Sequence, residues 1–161
     1  MRHFMALVYR LDLSFHIIAG LTLAFMMVVT FTDVVIRIFG RPIVGTMEII
    51  SFCGAVVIGF AIPYASWMKV HVFVDLLTAK VSPRSQVIFK AFTKSIGLLF
   101  FVFVSYNFIR YGLTLMKTGE VSPSFRIPYY PITFGLAVSC FLESLTLFCD
   151  LLRLAKGGNN G

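Results

Sequence analysis

Long apolar stretches separated by short charged or turn-forming segments set the pattern of this chain. The clearest stretch, Ile49 to Met68, is uncharged over about 20 residues, which at ~1.5 Å per residue covers the ~30 Å hydrocarbon layer of a bilayer. An earlier one runs from about Leu13 to Phe39 and ends in a turn where Gly40, Pro42 and Gly45 stop one helix and reverse the chain. Ser82-Pro83 has the form of a helix start and opens a third helix reaching Lys117. At roughly 50 Å that helix exceeds the bilayer core, so its N-terminal turns should protrude. Ile127-Pro128-Tyr129-Tyr130-Pro131 opens a fourth helix to about Leu154, with tyrosines at headgroup level. The expectation is an all-α integral membrane protein: one domain over 1–156 with four transmembrane helices at roughly 13–39, 47–68, 83–117 and 131–154, and a disordered tail at 157–161. Short interfacial helical segments complete it. Before Asp12, Phe4, Leu7, Val8 and Leu11 share one face beside Arg2 and Arg10, and Lys69 to Leu77 is too short and too charged to cross.

Polar residues that interrupt the apolar pattern are the candidates for function. Asp33 and Arg37 lie four apart with the acid first, the favourable order on a helix, and Glu48 puts a carboxylate in the first turn of the next helix. With Arg41 in the turn, these residues form either a charged rim where helices leave the membrane or a docking surface for another protein. In the second helix Ser51, Ala55, Gly59 and Pro63 recur every four residues, giving a face of small groups that permits close helix approach, either within the chain or to another subunit. Lys90 and Lys94, four apart on the protruding end of the third helix, suit either a solvated basic face or contact with lipid phosphates. Glu143 lies ~18 Å along the fourth helix, where a charge is expensive and is paired or functional. Its candidate partner is Lys94 on the antiparallel third helix or else a residue of another subunit. His16, near the start of the first span, reads as an interfacial polar group.

Composition removes whole classes of function. With 58% hydrophobic and 13% charged residues and a mean hydropathy of +0.90, 161 residues have too little polar surface for a soluble globule. The net charge of +7 is spread through short loops, which suits anionic lipid headgroups and not nucleic acid. Cys53, Cys140 and Cys149 fall inside apolar segments without metal-ligand spacing and read as small buried side chains. The N-terminal apolar run is longer than a signal-peptide core and has no small-residue cleavage site after it, so it reads as an uncleaved helix. Arg2, Arg10, Lys69, Lys80, Arg84, Lys90, Lys94, Arg153 and Lys156 share one side of a four-helix topology. Arg37, Arg41, Arg110, Lys117 and Arg126 share the other, and this imbalance favours both termini in the cytoplasm.

The acids sit on different helices, and no nucleophile and base pair, metal cluster or phosphate loop emerges, so an enzyme is not expected and the chain carries no cofactor of its own. Nor does it have broken helices in two corresponding halves, the usual pointer to a transporter's own substrate site. It reads as an accessory subunit. Four segments, Asp33-Val34-Val35-Ile36-Arg37, Phe39-Gly40-Arg41-Pro42, Glu48-Ile49 and His71-Val72-Phe73-Val74-Asp75-Leu76-Leu77, together with the Ile127-Pro128 and Gly135 opening of the last helix, resemble the small membrane subunit of tripartite ATP-independent periplasmic (TRAP) transporters.

The resemblance implies a scaffold subunit in a bacterial or archaeal inner membrane. Its partner would be a large, twelve-helix-type membrane subunit that holds the sodium and substrate sites, with a periplasmic binding protein delivering organic anions such as carboxylates. The subunit-interface candidates are then Asp33, Arg37, Arg41, Glu48, Ser51, Ala55 and Gly59. Two other classes stand beside it. A homo-oligomeric pore needs a continuous polar helix face that Asn107, Glu143 and the serines do not supply, and a haem-carrying anchor needs His16 and His71 at one site.

Overall fold

The computed structural model describes residues 2–40, 43–68 and 83–155. They form α1 (Arg2–Ile38), α2 (Thr46–Trp67), α3 (Pro83–Thr118) and α4 (Tyr130–Ala155), each containing a stretch long and apolar enough to cross a membrane. Among the described residues there is no strand, only an isolated bridge between Val121 and Pro128 in the loop before α4. The Lys69 to Leu77 segment, Arg41 and the tail at 157–161 lie outside the described residues.

The expected break near Asp12 is absent, and α1 runs unbroken from Arg2. Neither proline nor glycine occurs in it before Gly20, so nothing local stops the helix. Asp12 itself is fully buried, drawn into the bundle by hydrogen bonds to other helices. At the far end Phe39 and Gly40 amides fold back on the Ile36 and Arg37 carbonyls. The next helix starts from Gly45, whose φ of 84° is ordinary only for glycine. A Cβ there would also run into the Phe125 ring.

α4 is the centre of the bundle. It packs on α3, α2 and part of α1, while among the described residues α1 reaches only α2 and α4. Its most apolar membrane-length window is 56% buried, against 11% in each of the other three. The composition of α4 explains this, because Ser139, Cys140, Ser144, Thr146 and Cys149 are small enough for neighbours to come close, and all are buried. α1 and α3 turn Leu21, Phe31, Leu99 and Phe103 outward, the surface expected where the solvent is lipid tails.

The closest contact between α2 and α4 arises from a proline. Pro63 lies inside α2 and has no N–H to give the carbonyl of Gly59, four residues earlier. Ser139 of α4 supplies the missing donor, its Oγ donating to the Gly59 carbonyl at 2.5 Å in a buried contact. The approach is open because residue 59 has no side chain; a Cβ there would meet Leu136 Cδ2. On the other flank of α4, Ser105 Oγ of α3 donates to the Ala137 carbonyl at 2.9 Å.

The small-residue face of α2 is therefore used inside the chain at Gly59 and Pro63, which are buried, while Ala55 is half-buried and Ser51 is exposed. The physical reason is that a four-residue spacing advances the face by about 40° per step on a 3.6-residue helix. A stripe that starts outward at Ser51 has turned into the bundle by Gly59. Gly59 is thus corrected from a subunit-interface candidate to an internal contact.

Ser139→Ala should lower the thermal midpoint in detergent by the equivalent of ~1 to 3 kcal/mol, the cost of a buried acceptor left without a donor. In a Pro63→Ala background the helix regains its own donor to Gly59, and the same substitution should cost much less. Fluorescence of Trp67, the single tryptophan, reads both; equal losses in the two backgrounds would refute the account.

Candidate functional site

Two sets of buried or half-buried polar side chains, one at each end of the bundle, hold the helices together. At the end carrying the α1–α2 turn, Asp33 is the hub. Its Oδ1 accepts from the Ile43 amide at 3.0 Å and from Thr46 Oγ1 at 3.1 Å, and its Oδ2 accepts from Arg37 at 2.6 Å. The carboxylate closes the hairpin by serving an amide and a hydroxyl at the start of α2. Only 5% of the Asp33 side chain is exposed, against 58% for Arg37, so the acid is structural and the guanidinium faces outward. Beyond them Ile38, Phe39 and Val44 are each nearly four-fifths exposed, an apolar crown on the turn.

Glu48, in the first turn of α2, crosses to the loop before α4. Its two carboxylate oxygens accept from the Ser124 amide at 2.9 Å and the Phe125 amide at 3.3 Å. The loop is itself closed: Ser122 N donates to the Ile127 carbonyl at 2.9 Å and Arg126 N to the Ser122 carbonyl at 3.0 Å. Arg126 has a φ of 53°, the one non-glycine residue with positive φ among those described, a conformation that costs about 1 to 2 kcal/mol for a residue with a Cβ. Glu48 fastens the α1–α2 hairpin to this loop, so the two form a single surface.

At the opposite end Asp12 of α1 accepts two hydrogen bonds on Oδ2, from Trp67 Nε1 of α2 at 2.5 Å and Thr146 Oγ1 of α4 at 2.8 Å. Next to Trp67, Ser66 Oγ donates to Glu143 Oε1 of α4 at 2.5 Å. Asp12 and Glu143 are both essentially inaccessible, and their second oxygens, Oδ1 and Oε2, have no hydrogen-bond partner among the described residues. Lys94 of α3 pairs with Asp150 of α4 at 2.6 Å. An aromatic layer covers the cluster, with Tyr9 edge-on to Trp67 at 5.8 Å and His16 stacked on Tyr64 at 4.4 Å.

These positions correct two expectations. The partner of Glu143 is Ser66, not Lys94, and Lys94 pairs with Asp150. The reason is depth. Asp150 lies two helical turns further along the same face than Glu143 and nearer the end of α4, where a lysine reaches a carboxylate with less desolvation. Engaged there, with 27% of its side chain exposed, Lys94 is neither a freely solvated lysine nor a free headgroup ligand, the two readings its sequence left open; the Lys90 side chain is outside the described residues. Asp33 and Arg37 do pair, and Ser51 Oγ bonds only to its own helix at Met47.

Asp12, Ser66, Trp67, Thr46, Thr146 and Asp150 escaped the sequence reading. For three groups of α4 a signal existed, because Glu143, Thr146 and Asp150 are spaced i, i+3 and i+7 and mark one polar stripe on an apolar helix. Nothing local connects Asp12 with Trp67. None of these side chains is arranged as a nucleophile beside a base; they fasten helix to helix.

Exchanging the charges of the ion pair, Lys94→Asp with Asp150→Lys, should recover most of the thermal stability lost in either single variant, with a coupling of ~0.5 to 3 kcal/mol. Lys94→Glu with Glu143→Lys should recover none. The opposite result would restore the Lys94–Glu143 pairing.

No curated protein and no solved structure matches the chain. The family described as tripartite ATP-independent periplasmic transporters, DctQ component, matches over residues 26–157, from the middle of α1 past the end of α4 and through both polar clusters except Asp12. The chain therefore belongs to the DctQ family, the small membrane subunits of TRAP transporters, a family of transporter components and not of enzymes.

Proposed function

We propose that this chain is the fixed accessory subunit of a sodium-coupled, binding-protein-dependent carrier for organic anions such as carboxylates. It anchors a large membrane subunit that holds the sodium and substrate sites, in an inner membrane, with its own termini on the cytoplasmic side and its basic rims against anionic lipid. The observation that carries the reading is where the buried polar groups go. Asp33, Glu48, Glu143, Ser139 and Asp150 all bind other helices or loops of the same chain, which supports one rigid body in place of a path that ions could follow. The family match supplies the kind of assembly.

The exposed face of the α1–α2 hairpin suits a contact with the large subunit. It offers the Arg37 guanidinium beside the apolar crown of Ile38, Phe39 and Val44, the pairing of arginine and apolar area that stable interfaces favour. Glu48 acts there indirectly, by holding the neighbouring loop.

In proteoliposomes, the chain together with the large subunit and binding protein should take up a labelled carboxylate under an inward sodium gradient. The chain alone should not; uptake by it alone overturns the accessory role. Arg37→Ala should reduce recovery of the large subunit and lower uptake together, by as much as ~2 to 5 kcal/mol of binding where the guanidinium becomes desolvated in the complex. The thermal midpoint of the isolated chain should fall only slightly, because the buried Asp33 carboxylate keeps its Ile43 and Thr46 donors when the exposed guanidinium is removed. Lys156→Ala should alter neither. Reporter fusions at residue 119 and at the C-terminus should report opposite sides, with 119 outside; the reverse orientation defeats the topology.

A further inference from the structure

The loop between α3 and α4 is built more tightly than a connection requires. Its ends are pinched at Val121 and Pro128, and Ser122, almost wholly buried, is bonded to Ile127 through both its amide and its hydroxyl. Glu48 holds the two amides at its tip, and the Phe125 ring lies over Gly45. The tip then turns through the left-handed conformation at Arg126. A strained residue persists only where its surroundings over-determine it, and such residues collect at working surfaces. This construction exposes the Arg126 side chain, with Phe125 beside it still 47% exposed.

The charges at this end are unbalanced. Asp33 and Glu48 are engaged inside the chain, whereas Arg126, Lys117 and Arg110 are exposed with no ion-pair partner among the described residues, against one exposed acid in the same connection, Glu120. The loop also lies between the membrane-length stretches Ala91–Thr118 and Tyr130–Leu152 and outside both, so what meets it comes from the aqueous side.

We propose that the Ser122–Ile127 loop is a docking element for the acidic surface of a soluble protein outside the membrane, with Arg126 as its ionic contact and Phe125 as its apolar anchor. The inference rests on the outward orientation proposed above, which puts this loop where the periplasmic component of a tripartite transporter arrives. Lipid headgroups are the lesser fit, since an anionic headgroup is satisfied by any cation at the right depth. A loop stapled at five points and turned through a strained residue gives a fixed shape, which matters to a partner with a shape of its own. An arginine next to an aromatic is the combination that dominates binding at protein interfaces. Glu48 is then a positioning residue that sets the loop without touching the partner.

The test uses the complex of this chain with the large subunit in phosphatidylcholine nanodiscs, with and without phosphatidylglycerol, and measures binding of the transporter's own periplasmic binding protein. Arg126→Glu should weaken binding by about tenfold or more in both lipids, and added salt should bring the unmodified complex toward the variant. Arg126→Gly, which keeps the backbone turn, should weaken binding severalfold without lowering the thermal midpoint, separating loss of contact from loss of fold. Recovery of the large subunit should be unchanged in both variants. Unaltered binding by Arg126→Glu overturns the inference while leaving the accessory role standing, because that role is read from co-purification and uptake. An effect confined to phosphatidylglycerol nanodiscs makes headgroups the target, and loss of the large subunit makes the loop a subunit interface; each overturns it as well.

Discussion

A membrane helix has no water with which to satisfy a backbone carbonyl, and in this chain that constraint acts at Gly59. Pro63 removes the donor that the Gly59 carbonyl would find within α2. The donor must come from a neighbour, and Ser139 can serve only if α4 lies close enough for its short side chain to reach. Absence of a side chain at 59 allows that approach. One proline thus couples the rotation of α2 to the position of α4, and through α4, which touches every other helix, to the whole bundle. In water the same carbonyl could have been solvated, and the proline would have specified nothing about α4.

The same logic governs the acids. Each of Asp12, Asp33, Glu48 and Glu143 is bound by donors from a different segment of chain, because a carboxylate near hydrocarbon is costly unless hydrogen-bonded. These bonds add specific links between elements whose association in a bilayer otherwise rests on packing. The result is a body in which the α1–α2 hairpin and the α3–α4 loop are tied together.

The helices were legible because hydrocarbon thickness imposes a length that can be counted along the chain. So was the Asp33–Arg37 pair, whose spacing carries its geometry. Glu48 was visible as a carboxylate in a first turn, yet its partners are backbone amides more than seventy residues away, and amides leave no mark in a sequence. Lys94 was assigned to Glu143 because helical rise locates a residue only to within a turn or two, and Glu143 and Asp150 share a face. Asp12 was hidden by its surroundings: beside Arg10 and near the chain start it resembles a boundary residue, and only the fold shows it turned inward to Trp67 and Thr146.

The polar contacts also fall at two levels separated by one bilayer core. Along α1, Asp12 and Asp33 are ~31 Å apart by helical rise; along α2, Glu48 and Trp67 are ~28 Å apart; along α4, Tyr130 and Asp150 are ~30 Å apart. On α3 the corresponding marks are Lys94 and Lys117, at ~34 Å. The hydrogen bonds link marks of the same level, Asp12 to Trp67, Lys94 to Asp150 and Asp33 to the start of α2, so these contacts align the four spans in register with the hydrocarbon. Glu143 is the exception, about 10 Å further in than Asp150, and it is served by a hydroxyl from the neighbouring helix. What remains of the two long helices, residues 2–11 of α1 and 83–93 of α3, extends past the same level at the end carrying the N-terminus. The whole 34-residue apolar stretch of α1 would need a tilt of more than about 50° to fit inside ~30 Å, beyond the range helices adopt. The helix is therefore positioned by its two clamped acids rather than by its total apolar length.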